Sequence, residues 1–267
     1  MTDHLTYLPE EQHSLLSQIL WEILYSLLYP LLYLLGIFIH PKPRDGQKRT
    51  VVLVPGFMGS GLYLTNLQRE LSRQGYATHI VPLGFQMGDI RKKARLLENY
   101  LENNDLHDCY IIGHSMGGLI ALQMSYRGRD RIRKLYLANV PLKGTYLALL
   151  ALFCLAGWQM LPFSSFIKKM ADHFHTFVNT QTIFSRWDQI IIPHEYLRMN
   201  RFDDVEFAEI GHLNLVMGKN GIRCLIDLIE MEEKKDLRAS TPPSLPGKTA
   251  RRKKSDETRK KKKKGKK

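Results

Sequence analysis

The sequence predicts an α/β fold in which a mostly parallel β-sheet carries helices on both faces. From residue 49 onward, short runs rich in β-branched residues alternate with segments whose apolar residues recur at helical spacing. This alternation is typical of parallel strands joined by crossover helices. The chain has 267 residues, 44% of them hydrophobic, which is enough for one sizeable core.

The predicted elements follow in a regular order. Residues 89–103, the fourth element, are predicted to form a helix, because Ile90, Ala94 and Leu97 share one helical face and Asp89 is placed to cap the first turn. Later strands are predicted in "RKLYLANV", "TIFSRWDQIIIP" and "VEFAEIGHLNLV". The first five elements alternate strand and helix at residues 49–54, 61–74, 76–83, 89–103 and 108–113.

A serine lies between glycines directly after the buried strand "CYII". Gly113, Ser115 and Gly117 form the pattern G-x-S-x-G between this strand and the helical run "MGGLIALQ". That is the setting of a nucleophile elbow, a turn too tight for neighbouring Cβ atoms. Alone, the pattern also occurs as an ordinary turn, but in this position it predicts that Ser115 is a catalytic nucleophile. We assign His114, the variable residue of the turn, a local packing role.

A serine hydroxyl needs a base to take its proton, and the base needs a carboxylate to orient it. Asp188 and His212 follow the serine in the order acid, histidine, each at the carboxyl end of a predicted strand. Asp203 and Asp204 precede the last strand and would lie at its opposite end, and His194 is flanked by loop-forming residues. Order and placement therefore predict that Asp188 and His212 are the catalytic pair.

Acyl transfer also requires two backbone N–H groups that bind the negatively charged oxygen. Met116 follows the predicted nucleophile and supplies the first. The glycine-bearing turn "VPGFMGS" at residues 54–60 follows the first strand and makes Phe57 the predicted second donor. Taken alone, this loop could equally be a plain turn before a helix.

In this order, "VVLVPGFMGS", "GHSMGG", "VPLKGT", "SRWDQIIIP" and "IGHLNLV" resemble the α/β-hydrolase lipases of the bacterial triacylglycerol lipase type. The resemblance covers about residues 49 to 232. It implies an α/β-hydrolase fold and hydrolysis of lipid esters through an acyl-enzyme, without a cofactor. The residues it matches to the catalytic triad and the oxyanion hole are Ser115, Asp188, His212, Phe57 and Met116.

Two departures from this family concern the substrate. Many relatives have His-Gly where this chain has Pro55-Gly56, a pair shared with the lecithin–cholesterol acyltransferase-like branch. Residues 141–145 read Pro-Leu-Lys-Gly-Thr in place of Pro-His-x-Gly-Thr. A lipid acyltransferase or phospholipase with the same triad therefore stays an alternative. A membrane-tethered binding module without activity is the other.

The apolar segment at residues 15–39 predicts a membrane anchor helix. Glu22 is its only charge, and the 17 uncharged residues from Ile23 to Ile39 would reach about 25 Å as a helix. A bilayer core is about 30 Å thick. The acidic amino-terminal flank argues against a cleaved signal peptide. Basic residues at positions 42–49 follow, so the positive-inside rule predicts a cytoplasmic catalytic domain.

Three interpretations of this helix stay open: a membrane span, a helix lying flat in the interface, and a soluble packing helix. Aromatic residues recur every fourth position along it, which favours a flat helix because Trp and Tyr prefer the headgroup level. These residues are Trp21, Tyr25, Tyr29 and Tyr33.

Residues 145–178 are predicted to form a lid. The 18 residues from Tyr146 to Phe163 carry no charge, which is too apolar for an ordinary exposed connection. We expect a mobile cover over an acyl pocket that binds lipid surfaces through its apolar face. A second membrane span and a buried helix are the alternatives, and Gly157 and Pro162 argue against the span.

The basic charge of the chain is concentrated at its end. Residues 248–267 contain 13 Lys or Arg and two acidic residues, so they hold +11 of the net charge of +13. This distribution argues against a nucleic-acid-binding fold. A like-charged run without apolar residues predicts a disordered tail. Its expected partner is anionic lipid or, less favoured, nucleic acid.

Three cysteines in dissimilar contexts suggest neither a disulfide framework nor a zinc site, and no metal or cofactor is expected. The predicted organisation is an amino-terminal flank (1–14), the membrane anchor helix (15–39), a linker (40–48), the catalytic domain (49–233, with the lid at 145–178) and the basic tail (234–267).

Overall fold

The computed structural model describes residues 4–172, 179–199 and 203–240. In this part of the chain seven strands form one sheet, and every neighbouring pair is parallel. They are β1 (Leu5–Tyr7), β2 (Lys48–Val54), β3 (Tyr76–Ile80), β4 (Cys109–His114), β5 (Ile132–Ala138), β6 (Thr180–Ser185) and β7 (Val205–Phe207). Their order across the sheet is β1-β7-β6-β5-β4-β2-β3. The predicted parallel α/β fold is confirmed.

The predicted helices form within a few residues of their expected bounds. Asp89 caps the third helix as predicted, because its side chain accepts a hydrogen bond from the Arg91 N–H at 3.0 Å. The α-helices of the described residues are α1 (Leu15–Leu35), α2 (Thr65–Arg73), α3 (Ile90–Asn103), α4 (Met116–Leu122), α5 (Tyr126–Arg129), α6 (Leu155–Met160), α7 (Ser165–Ala171), α8 (Asn214–Met217) and α9 (Lys219–Ser240). Short 3₁₀ helices occur at Leu62–Leu64, Tyr146–Ala151 and His194–Leu197.

The chain divides into two compact units, Met1–Asp227 and Leu228–Lys267. The first contains the sheet, with β4 near its centre and every residue of β4 buried. Helices cover both faces of a parallel sheet, so its central strands are apolar throughout rather than alternating. The carboxyl ends of parallel strands meet at one edge, which places the loops after β2, β4, β6 and β7 close together.

The amino-terminal flank contributes a strand to the sheet. Leu5 of β1 pairs with Val205 of β7, and its N–H donates to the Asp204 carbonyl at 3.0 Å. The Tyr7 hydroxyl donates to Asp227 Oδ2 at 2.6 Å. The structure thus joins residues of the predicted separate flank to the catalytic fold. Three residues that pair 200 positions away leave no periodic signal in the sequence.

Helix α1 packs lengthwise on the catalytic fold. Gln18, Glu22 and Tyr33 on one face are buried. By length and composition α1 is, among the described residues, the one helix that could cross a membrane, with a mean hydropathy of 1.4. The opposite face exposes a row of large apolar side chains: Leu16, Leu20, Ile23, Leu24, Leu27, Leu31 and Leu34.

The predicted aromatic row of α1 divides between two environments. The Tyr29 hydroxyl donates to the Phe57 carbonyl at 2.7 Å, and the Tyr33 ring lies 5.8 Å from that of Phe85. Trp21 and Tyr25 instead stack on each other, with ring centroids 5.5 Å apart. Tyr29 and Tyr33 therefore contact protein, whereas a helix lying flat was expected to keep the whole row at the headgroups.

The predicted linker is partly ordered by the sheet. Arg44 and Thr78 exchange two backbone hydrogen bonds, of 2.9 and 2.8 Å, and Lys48 already belongs to β2.

The predicted lid consists of short helices, where its described part covers residues 145–172. The 3₁₀ helix Tyr146–Ala151, α6 and α7 have six, six and seven residues, so no continuous second span forms in this part. Ala148, Ala156 and Met160 join the main apolar core. The other face is exposed at Leu149, Leu150, Phe153, Leu155, Trp158 and Phe163. The lysine-rich residues 248–267 lie outside the described residues.

Candidate active site

The turn after β4 holds its serine in a conformation that L-residues rarely adopt. Ser115 has φ 53° and ψ −129°. A Cβ on Gly113 would lie 2.6 Å from the Gly118 Cα, and one on Gly117 would overlap the Val54 carbonyl oxygen. Only glycine fits at these positions, so the sequence forces the chain into a sharp strand-to-helix turn with Ser115 at its apex. Such strain is typical of functional sites.

Asp188 and His212 come together at the same edge of the sheet. His212 Nδ1 lies 2.6 Å from Asp188 Oδ2, and both side chains are buried. Asp188 Oδ1 accepts the N–H groups of Ile190 and Ile191 at 2.7 and 3.0 Å, which fixes the carboxylate. Because Nδ1 is bonded to the carboxylate, Nε2 is the imidazole nitrogen that can take a proton from another group.

The environment of His212 changes its basicity. Burial by itself lowers the pKa of His212. The charge of Asp188, the hydrogen bond that His212 donates to Asp188 and the charge of Glu22 raise it, and the pKa lies above its ordinary value. A base of this kind is neutral only at a pH above its raised pKa, and it becomes a stabilised cation when it accepts a proton.

His114 connects the serine turn to the histidine loop. Its Nε2 lies 3.2 Å from the His212 carbonyl oxygen, and its Nδ1 lies 3.0 Å from the Tyr63 hydroxyl, which accepts the Gly56 N–H at 2.8 Å. A carbonyl only accepts, so we assign the proton of His114 to Nε2. Burial lowers the pKa of His114 well below its ordinary value, which keeps the ring neutral. Its role extends beyond the local packing predicted from sequence.

The loop after β2 lies directly against the serine. A Cβ on Gly56 would lie 2.9 Å from the Ser115 Cβ, so this close approach requires glycine. The next residue, Phe57, carries one predicted oxyanion donor, and Met116 carries the other. Within the described part of the chain, neither of these N–H groups donates a hydrogen bond to another protein group. Their role as oxyanion donors stays a prediction.

Two polar residues that sequence reasoning missed support the histidine loop. Asn139 follows β5 with φ 48°, and its Nδ2 donates to the His212 carbonyl at 3.1 Å. Its Oδ1 accepts the Ser185 N–H at 2.8 Å, and the Ser185 hydroxyl donates to the Gly211 carbonyl at 2.7 Å. The position of Asn139, at the carboxyl end of a strand, is the signal that could have identified it.

The alternative acids and bases have structural roles. Asp204 lies at the amino end of β7, where its carbonyl accepts from β1. His194 Nε2 lies 3.1 Å from the Ser185 carbonyl, and its ring meets that of Phe184 edge-on. Among the described residues, no group of three His, Cys, Asp or Glu side chains is arranged to hold a metal ion.

Comparisons with known proteins agree with this architecture. The sequence profile described as the alpha/beta hydrolase fold matches residues 49–161. The mature lipase BlEst2 of Bacillus licheniformis is similar in structure, with a TM-score of 0.59 and 14% sequence identity over 71% of this chain and 94% of that one.

Two further solved structures are similar. MGS-MChE2, an α/β-hydrolase enzyme from a sediment metagenome of the Mar Chica lagoon in Morocco, has a TM-score of 0.55 and 19% identity over 73% of this chain and 98% of its own. The thioesterase domain from the curacin biosynthetic pathway has a TM-score of 0.54 and 14% identity over 70% of this chain and 93% of its own. No curated protein matches the chain. The protein has the α/β-hydrolase fold.

Proposed function

We propose that this protein is a membrane-associated serine hydrolase that cleaves carboxylic esters of lipids through an acyl-enzyme. The observation that carries the proposal is the bonded pair of Asp188 and His212 at the sheet edge where the strained turn presents Ser115. A fold shared with a lipase, an α/β-hydrolase enzyme and a thioesterase domain supports hydrolase chemistry.

In the proposed reaction, His212 Nε2 takes the proton of the Ser115 hydroxyl while Oγ bonds to the ester carbonyl carbon. Asp188 stabilises the imidazolium, and the Phe57 and Met116 N–H groups bind the oxyanion. The tetrahedral intermediate expels the alcohol, which receives the proton from His212. Water then attacks the acyl-serine with His212 again as base, and the fatty acid leaves.

The proposed lipid contact rests on a broad exposed apolar surface. The Ala156 N–H of the lid donates to the Met87 carbonyl at 3.2 Å, and Tyr33 of α1 contacts Phe85 of the same loop. The lid, this loop and α1 are therefore neighbours. We call their exposed side chains the lipid-facing surface; they include Leu27, Leu31, Phe85, Phe153 and Trp158. Large exposed apolar patches mark binding sites for membranes or proteins.

The packing of α1 favours a helix that lies in the membrane plane. Its protein contacts run from Gln18 to Tyr33, which is about 22 Å at the rise of an α-helix. A span of a hydrocarbon core about 30 Å thick would pull the attached polar domain into the lipid. We therefore propose in-plane insertion through the exposed leucines. The predicted cytoplasmic location depended on a span, and an in-plane helix provides no such orientation.

The test measures turnover of p-nitrophenyl esters of increasing chain length, with and without phosphatidylcholine vesicles. We expect longer chains and vesicles to increase turnover. Phe153→Ser should reduce the increase with vesicles and leave a soluble short ester unaffected. Tyr126→Ser on α5, which removes another aromatic residue of 73% exposure, is the matched control.

Each outcome separates the parts of the proposal. Turnover that ignores vesicles and chain length contradicts a lipid substrate. Absence of turnover in the folded protein contradicts the hydrolase itself. When glycerol or lysolipid is added to the assay, its acylation shows an acyltransferase with the same triad.

A further inference from the structure

We propose that Glu22 is a positioning residue of the catalytic triad, and that the lipid-facing helix α1 is thereby a structural part of the active site. The inference rests on the proposed function, since it assigns to α1 the support of the two loops that carry Asp188 and His212. It adds a residue that lies far from the catalytic motifs in sequence.

Glu22 accepts hydrogen bonds from both loops. Its Oε1 accepts from Gln189 Nε2 at 2.5 Å and from the Leu213 N–H at 2.9 Å. Its Oε2 accepts from the Leu213 N–H at 3.1 Å and from the Asn214 N–H at 2.8 Å. Gln189 directly follows Asp188, and Leu213 directly follows His212. One carboxylate therefore joins the neighbours of the acid and of the base.

A second path leads from Glu22 to the histidine itself. Gln189 donates to Glu22 through Nε2 and accepts the His212 N–H through Oε1 at 3.3 Å. One turn earlier on α1, the Gln18 Oε1 accepts the Ile210 N–H at 3.0 Å. The backbone on both sides of the catalytic histidine is therefore held by side chains of α1 or through them.

Burial of the Glu22 carboxylate at this position is unfavourable unless other groups stabilise it. It is 6% exposed, and in the described part of the chain no Lys or Arg forms an ion pair with it. Burial of a carboxylate is unfavourable unless hydrogen bonds replace its water, and here N–H donors from two loops do so. Helix packing alone would be served by leucine, so the carboxylate is explained by the loops it holds.

The charge of Glu22 also acts on the base. Among the residues that the structure describes, the ionisable groups around His212 are Asp188, Glu22 and His114, and His114 is neutral. The charges of Asp188 and Glu22 raise the pKa of His212 against the effect of burial. Removal of the Glu22 charge should therefore lower the pKa of His212, and the acid limb of the activity profile should move to lower pH.

The test compares wild type with four variants on a soluble short-chain p-nitrophenyl ester, recording kcat, KM and the pH profile of kcat/KM. Glu22→Gln keeps size and removes charge, Glu22→Asp keeps charge and shortens the reach, and Gln189→Ala cuts the path to His212 from its other end. Glu11→Gln, an exposed acid of the same amino-terminal segment, is the control. Circular dichroism establishes that each variant is folded.

We expect Glu22→Gln to lower kcat about 10- to 100-fold, because small displacements of catalytic groups have effects of this size, with KM within about twofold. Its acid limb should move to lower pH. Glu22→Asp and Gln189→Ala should lower kcat without that movement, and Glu11→Gln should match wild type. A purely structural role would not move the acid limb.

The inference is overturned if a folded Glu22→Gln has the kcat and acid limb of wild type. It is also overturned if kcat falls only with the unfolded fraction. If Glu22→Gln does not fold, an unchanged kcat in Gln189→Ala overturns it, and a lowered kcat supports it. A wild type without turnover contradicts the proposed function and the inference with it, whereas an active wild type with unaffected variants contradicts the inference alone.

Discussion

The two halves of the candidate site are held in different ways. The nucleophile half is built from contiguous residues, because β4, the turn at Ser115 and α4 follow one another and glycines provide the space. The histidine half consists of two separate loops. Side chains distant in sequence, Glu22 and Asn139, hold these loops through buried hydrogen bonds.

This difference determines whether each half can be recognised from a sequence motif. It also determines how each half should respond to mutation. A local turn is visible as a motif, and damage to it should act on chemistry directly. Loops held by residues distant in sequence leave no motif. Mutation of those residues should displace the proposed catalytic groups and change the stability of the protein and the basicity of His212.

The largest expected effect comes from the nucleophile half. Ser115→Ala removes the attacking oxygen, and ester turnover should fall by about 10⁴-fold or more while the protein stays folded. Ser125→Ala, an exposed serine just after α4, should retain full turnover. Steady-state kinetics with circular dichroism measures both. Turnover retained in Ser115→Ala would contradict the assignment of the nucleophile.

In the histidine half, Asn139→Ala should destabilise the protein by about 2–4 kcal/mol. It removes one donor to the His212 carbonyl and leaves the Ser185 N–H unpaired, and an unsatisfied buried polar group costs about 1–3 kcal/mol. Urea unfolding measures the free energy. Asn104→Ala, which loses one exposed bond to the Tyr100 carbonyl, should change stability by less than about 1 kcal/mol. Equal losses in the two variants would contradict the buried network.

A smaller effect concerns pH. In the proposed reaction His212 is a base, which requires its neutral form. Because its pKa is raised, activity should fall as pH decreases through a value above the ordinary histidine pKa of about 6.5. The acid limb of kcat/KM on a soluble ester measures this value. A limb below the ordinary range would show that burial outweighs the neighbouring carboxylates.

The smallest expected effect on catalysis comes from the basic tail. Deletion of residues 248–267 should leave turnover of a soluble ester unchanged and should weaken binding to anionic vesicles. The difference in binding between the full chain and the deletion variant should disappear at high salt. Vesicle sedimentation at two salt concentrations measures the binding. Unchanged binding would direct attention to another partner, such as nucleic acid.

The fold was predictable because its signals are local. Strand and helix periodicity, the Asp89 cap and the G-x-S-x-G turn each lie within a short window. Placement at strand ends was sufficient to select Asp188 and His212, which the structure brings to 2.6 Å. Their catalytic role stays a prediction.

The support of the histidine half was not predictable in the same way. The partners of β1 and of Glu22 lie about 190 to 200 residues away in sequence, and no periodic pattern of residues predicts such contacts. Glu22 did leave one trace, as the only charge in a long apolar segment. The prediction of a membrane anchor gave this charge no role, whereas the structure buries it against the loops that carry Asp188 and His212. In the lid, the apolar run is divided into short helices, and Gly157 allows a close approach to Ala151.

The most direct test of the central claim, that Ser115 is an activated nucleophile, is fluorophosphonate labelling followed by mass spectrometry of the labelled peptide. We predict one adduct on Ser115 in wild type and in Ser125→Ala, and none in folded Ser115→Ala. A folded wild-type protein without an adduct, or with its adduct on a different serine, would contradict the account.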